Sequence, residues 1–159
     1  MTEAAASVAD RADEYFRQGH NCAQAVLKAV AEVRGLECPG CIPAVALAMG
    51  GGIGRTGHAC GAVTGAVMVI GLAMDRAACG GLVERKEAAC GAAGRFVKAF
   101  VAEFGSADCR GILGFDWSEP GAMARAEREN AKQVRCTPCV RWAAAEAARL
   151  IDEVCAGAP

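Results

Sequence analysis

The chain has 159 residues, 53% of them hydrophobic but only 5% aromatic, and a formal net charge of −1. That length suits one domain with its own core, here aliphatic and rich in Ala and Gly. The balanced charge argues against a nucleic-acid-binding surface and against an acidic tail.

Residues 3–17 read as an amphipathic helix with Val8, Ala12, Tyr15 and Phe16 on one face, broken by Gly19-His20. Asn21 caps a second helix, from Cys22 to about Arg34. Cys38-Pro39-Gly40-Cys41-Ile42-Pro43 has the composition of a turn. Pro43 suits the first position of a short helix ending at Met49. After a glycine-rich loop, a helix runs from about His58 to Met74. Its uncharged run, Ala59 to Met74, is sixteen residues long, short of the ~20 that cross a bilayer. The N-terminal stretch has no cationic segment followed by an apolar one, so a cytoplasmic protein without a membrane span is expected.

Glu84–Phe104 reads as a long helix, with Val83, Phe96, Phe100 and Phe104 on its apolar side, ended by Gly105-Ser106. Ser106–Leu113 is a helical turn, residues 114–120 are loop, and the charged stretch Ala122–Lys132 is an exposed helix or ordered arm. A last helix starts at Thr137 or the turn before it and reaches about Val154. No stretch alternates β-branched or aromatic residues with polar ones. The expected fold is therefore all-α: a single-domain, compact helical bundle with an Ala/Gly-rich central helix.

The segment GGGIGRTGHACGAVTG, residues 50–65, has two readings. Gly52-Ile53-Gly54-Arg55-Thr56-Gly57 fits G-x-G-x-x-G. That pattern binds a dinucleotide only after a strand and within a βαβ unit. The stretch upstream, Pro43–Met49, is Ala-rich and helical in character, so no nucleotide is expected. The glycines instead allow sharp turns and close approach. Gly61 and Gly65 are four apart and give one helix face little bulk, so another backbone can approach it.

Ten cysteines are the strongest signal in the composition. In a reducing compartment such a density points to ligands or redox groups rather than to a disulfide framework. Cys60 stands at or just before the first turn of an apolar helix, where free N–H groups and the helix dipole favour a thiolate. His58 lies two residues before Cys60, His20 two before Cys22, and Arg110 follows Cys109. Each could serve a site or be ordinary surface.

Asn21-Cys22-Ala23-Gln24-Ala25-Val26-Leu27, the Gly50–Gly54 loop, Cys60-Gly61-Ala62-Val63-Thr64-Gly65 and Phe104-Gly105-Ser106-Ala107-Asp108-Cys109-Arg110 occur in that order, followed by Cys136 and an Ala-rich helix. Together they resemble the redox-active protein family named for its C_GCAxxG_C_C cysteine pattern, over roughly residues 8–152. The resemblance implies a small helical redox protein whose family cysteines are Cys22, Cys60, Cys109 and Cys136, with Cys139 as the alternative to the last. The family is also similar to the non-haem part of split-Soret cytochromes. That similarity, with the small-residue helix faces, points to a homodimer. Covalent haem needs Cys-x-x-Cys-His, whereas Ile42 follows Cys41 and Val140 follows Cys139 here, so none is expected.

Four cysteines from separate segments suit one convergent site. They could hold an iron–sulfur cluster for electron transfer, or a zinc ion in a closed structural site. The rival is metal-free dithiol chemistry, with Cys60 attacking and Cys22 or Cys109 resolving. Cys38–Cys41 and Cys136–Cys139 are Cys-x-x-Cys pairs with the spacing of a shared metal or a small-ring disulfide. Cys79, Cys90 and Cys155 read as lying outside the main site. Nothing in the sequence specifies the redox partner, or whether the protein is an enzyme.

Overall fold

The computed structural model describes residues 3–77 and 81–156. The fold is all-α, as expected. Helix α1, Glu3–Arg17, buries Val8, Ala12 and Phe16 against α2, Cys22–Val33, and α7, Thr137–Ala156. Asn21 starts α2 through a reciprocal capping box. Its side chain accepts from the Gln24 backbone N–H at 3.0 Å, and the Gln24 side chain accepts from the Asn21 N–H at 3.1 Å.

The stretch after Pro43 forms a 3-10 helix, Ala44–Met49, with Pro43 just before it rather than inside it. Two of its carbonyls, Ala46 and Leu47, accept hydrogen bonds from Asn21 Nδ2. Helix α3, Gly61–Ala77, packs on α2, α4 and α7, and so is the central helix the composition predicted. It starts three residues later than the sequence suggested. The backbone before it is taken by residues 107–109: Cys60 N–H donates to Ala107 O at 2.8 Å, Cys109 N–H donates to His58 O at 2.7 Å, and Ala59 and Asp108 form an isolated antiparallel bridge. That bridge is the only β-type pairing among the described residues, and no strand extends from it.

Helix α4, Leu82–Phe104, begins slightly before its expected start. Val83, expected on its apolar side, is 68% exposed. The fully buried face of α4 begins only at Ala92 and continues through Phe96 and Phe100; the turns before it carry half-exposed or exposed residues. Phe96, Phe100, Phe104 and Trp142 of α7 stack at centroid distances of 4.7–6.1 Å. This gathers four of the chain's eight aromatic side chains in one corner of the core. Short helices α5, Cys109–Leu113, and α6, Ala122–Arg128, follow. A five-residue π-helical segment, Lys132–Cys136, then leads directly into α7.

The buried side chains fall into two clusters. The larger fills the space between α1, α2, α3, α4 and α7 and contains Cys60 and Cys139. The smaller contains Cys109, Leu113, Phe115, Ala122 and Ala131, with Trp117 against it. Cys136 packs against both. No helix of the described residues is long and apolar enough to cross a membrane.

Candidate functional site

Four chain segments meet at the seam between these two clusters, and each brings one cysteine. Cys22 is the first residue of α2. Cys60 immediately precedes α3, held by its backbone bond to Ala107. Cys109 opens α5, held by its bond to His58 O. Cys136 ends the π-helical segment. A π turn carries one extra residue, which re-aims the side chains on either side of it. Here Cys136 faces Cys22 while Cys139, one turn on, stays in the larger core at 1% exposure.

The glycines make this meeting possible. A Cβ on Gly61 would lie 2.9 Å from Cys22 Cβ, and one on Gly65 would lie 2.5 Å from the Ala23 carbonyl oxygen. The small face of α3 is therefore where the backbone of α2 approaches. Gly52, from the G-x-G-x-x-G stretch, has φ +72°. A Cβ there would meet His58 O at 2.5 Å and Cys109 Cβ at 2.6 Å. The glycine loop is a packing element of the cysteine site. Ile53 and Arg55 in the same loop hold left-handed backbone conformations, φ 62° and 64°, which non-glycine residues adopt at a cost and which cluster at functional sites.

Every pair among Cys22, Cys60, Cys109 and Cys136 is close enough that one sulfur feels the other's charge. Cys22 and Cys136 are hydrogen-bonded thiol to thiol, and this bond is the main reason that the Cys22 pKa lies well above its ordinary value; burial and the other three sulfurs add to it. Cys136 moves the other way. The bond from Cys22 stabilises its thiolate, and Lys132 and Arg135 add positive charge, together outweighing its burial. Cys60 is pushed up to about 12 by burial; the N–H groups of Ala62 and Val63 only partly offset this. The helix start thus supplies the donors the sequence suggested, but loss of water decides the outcome. Cys60 is a buried thiol rather than the activated thiolate, and the low-pKa cysteine is Cys136. Burial also raises Cys109 and Cys139.

A cavity of about 840 Å³ opens onto the site, with Cys22, Cys109 and Cys136 in its wall beside Phe16, Leu113 and Trp117. Lys132, also in that wall, places its ammonium 4.5 Å from the centre of the Phe16 ring. The indole N–H of Trp117 is buried without a hydrogen-bond partner, and the group it faces is the Cys109 sulfur. Of the other residues suggested by sequence, His58 is exposed, with Nδ1 3.4 Å from Arg110 Nη2. Arg110 itself bonds the carbonyls of Thr56 and Gly57 and pairs with Asp116 at 3.2 Å. This pair braces the loop behind Cys109. His20 lines the cavity, with its Nδ1 3.2 Å from Tyr15 O.

Cys38 and Cys41 lie together in their turn, Cys41 exposed, away from Cys139, so the two Cys-x-x-Cys pairs do not share a site. Cys90 is exposed on α4. Cys79 and the side chain of Cys155 lie outside the described residues. No disulfide links Cys22, Cys60, Cys109, Cys136 or Cys139. Among the described residues no three His, Cys, Asp or Glu side chains are grouped closely enough to hold a single metal ion.

Sequence reasoning missed Trp117, Lys132 and Arg135. The basic pair had a signal, since Lys132 and Arg135 stand four and one residues before Cys136. Trp117 had none; it reaches Cys109 only through the fold of the loop after α5.

The model of the family described as "Putative redox-active protein (C_GCAxxG_C_C)" matches residues 20–150. The chain belongs to this family. The match spans all four convergent cysteines and the glycine loop that packs against them. No curated protein and no solved structure matches the sequence.

Proposed function

We propose that this C_GCAxxG_C_C protein carries electrons on an iron–sulfur cluster held by Cys22, Cys60, Cys109 and Cys136. The observation that carries the reading is the convergence of four thiols from four separate segments at the seam of two cores, with Cys22, Cys109 and Cys136 on the wall of an open cavity. The donor set is the one such clusters take. Three of the four sulfurs are pushed toward the protonated form, as expected of ligands whose charge is balanced by a bound cation rather than by water. The unpartnered Trp117 N–H is placed to serve the Cys109 sulfur as a thiolate. When bound, the cluster supplies one-electron transfer. The chain's own residues hold it, shield it with Phe16, Leu113 and Trp117, and supply countercharge through Lys132 and Arg135.

The test is iron and acid-labile sulfide content, with a visible spectrum, on protein purified without oxygen and reconstituted with ferrous iron and sulfide. Comparable iron and sulfide, with absorbance that bleaches on reduction, is the expected result. Cys22→Ser and Cys136→Ser should lose it and Cys139→Ser should keep it. Protein that stays colourless and iron-free after reconstitution overturns the reading.

One observation favours a second reading. The thiol–thiol hydrogen bond singles out Cys22 and Cys136, so a metal-free dithiol protein would use Cys136 as attacker and Cys22 as resolver. Oxidation of metal-free protein would then link the tryptic peptides 18–28 and 136–141 through a disulfide.

A further inference from the structure

Cys38 and Cys41 are not used by the site above. They sit in a turn closed by bonds from the Cys41 N–H and the Ile42 N–H to the Cys38 carbonyl, at 2.9 and 3.0 Å. Gly40, at φ +84°, lets the chain reverse inside it. The two thiols face each other within hydrogen-bond reach. Cys41 is exposed and Cys38 half-buried.

The turn is fixed on both sides. Before it, Leu36 is buried, and the Arg76 guanidinium holds the carbonyls of Gly35 and Glu37 at 3.0 and 3.2 Å. After it, Gln24 Nε2 reaches the Pro43 carbonyl at 3.5 Å. The 3-10 helix that follows is tied to Asn21 and contributes Leu47 and Ala48 to the cavity wall. The ends of a turn held this way are already positioned for ring closure. Facing sulfurs need only small side-chain rotations to reach the ~2.05 Å of a disulfide bond.

We propose that Cys38 and Cys41 form a second redox site, a surface dithiol that exchanges reversibly with an external disulfide. The hydrogen bond with Cys38 raises the Cys41 thiol, but Cys41 is the exposed sulfur that an incoming disulfide can reach; once deprotonated, it attacks one sulfur of that disulfide. That S–S bond breaks, and one thiol leaves with the proton given up by Cys41. Cys38 then attacks the mixed disulfide at Cys41, loses its own proton and releases the second thiol. The Cys38–Cys41 bond forms, two electrons pass from the pair to the incoming disulfide, and the reverse sequence restores the dithiol. The proposal does not rest on the iron–sulfur reading, because neither sulfur belongs to the convergent site.

The tryptic peptide 35–55 contains Cys38 and Cys41 and no other cysteine, so its alkylation reports on this pair alone. Full-length protein, purified without oxygen, is incubated with glutathione disulfide or with an oxidised Cys-x-x-Cys protein, alkylated and digested. The expected result is near-complete loss of alkylation of peptide 35–55. Its mass should be lower by two hydrogens, with full recovery after dithiothreitol. Response to both oxidants identifies an open exchange site; response to the protein alone identifies a protein disulfide as the natural co-reactant. Cys38→Ser should stop at a stable mixed disulfide on Cys41. Two alkyl groups on peptide 35–55 under both oxidants, or a wild-type protein that also stops at the mixed disulfide, overturns the proposal.

Discussion

Gly61 and Cys22 are in such close contact that a single added carbon on Gly61 would stand 2.9 Å from Cys22 Cβ. This contact joins the start of α2 to the start of α3 and fixes two of the four cysteines relative to each other. Gly65, one turn further along, has the same relation to the backbone of Ala23 at 2.5 Å. Gly65→Ala must push two helix backbones apart and should destabilise by ~1–3 kcal/mol. Gly61→Ala should cost a similar amount and also displace Cys22. Gly71, on the same helix, has open space around it, so Gly71→Ala should be neutral or gain up to ~1 kcal/mol. Urea unfolding of the three variants checks the ordering; equal effects at Gly65 and Gly71 would contradict it.

Asn21 joins two elements. It caps α2 and donates to Ala46 and Leu47 of the 3-10 helix, whose Leu47 lies in the cavity wall. Asn21→Ala should cost ~1–2 kcal/mol from the lost cap and should release the 3-10 segment. Asn21→Asp keeps the capping acceptor but loses both donated bonds. It should therefore retain most of the stability while amide exchange at residues 44–49 speeds up. Unchanged exchange there would show that the wall is held by other contacts.

The thiols of metal-free protein should titrate in a definite order. Cys136, lowered from its ordinary value by Cys22, Lys132 and Arg135, should alkylate at the lowest pH. Cys60, held at about 12, should resist until strongly alkaline conditions. Cys22→Ala removes the donor and should move the reactivity midpoint of Cys136 upward. The stability sign follows from the same shifts. A thiol whose pKa is raised on folding contributes fully below the unfolded value, ~8.5, and that contribution is lost as pH rises toward the folded value. Metal-free protein should therefore lose stability steadily above about pH 9, through Cys22 and Cys60. Peptide-resolved alkylation against pH, with urea midpoints at pH 7 and 10, tests both statements.

Trp117→Phe removes a buried donor that has no partner in the metal-free protein and keeps an aromatic ring against Phe115, 5.4 Å away between centroids. Relief of an unmet hydrogen bond, ~1–3 kcal/mol, should offset the smaller ring, leaving stability nearly unchanged. In the reconstituted protein the midpoint potential should fall, because a hydrogen bond to a ligand sulfur favours the more negative, reduced state. A potentiometric titration decides this. An unaltered potential would mean that the indole does not reach the sulfur once the site is filled.

The sequence by itself determined the elements. Period-3.6 patterning placed the long helices, Asn21 marked the start of α2 through its own capping chemistry, and the spacing of Gly61 and Gly65 marked the thin face of α3. These are local properties, set within one or two turns of chain. It also marked out Cys22, Cys60, Cys109 and Cys136, by the motifs around them. It placed Val83 on a buried face because periodicity records which side of a helix is apolar, not where along its length the neighbours begin. Burial and proximity were decided only by the tertiary structure. Cys60 has the helix-start N–H groups its position promises, yet removal from water overrides them. Cys136 has the lowered pKa because Cys22, 114 residues earlier in the chain, donates to it. The glycine loop's purpose also emerged only there, since what Gly52 accommodates is Cys109 on another segment. Charge and desolvation act through space, and the distances that set them are not written along the chain.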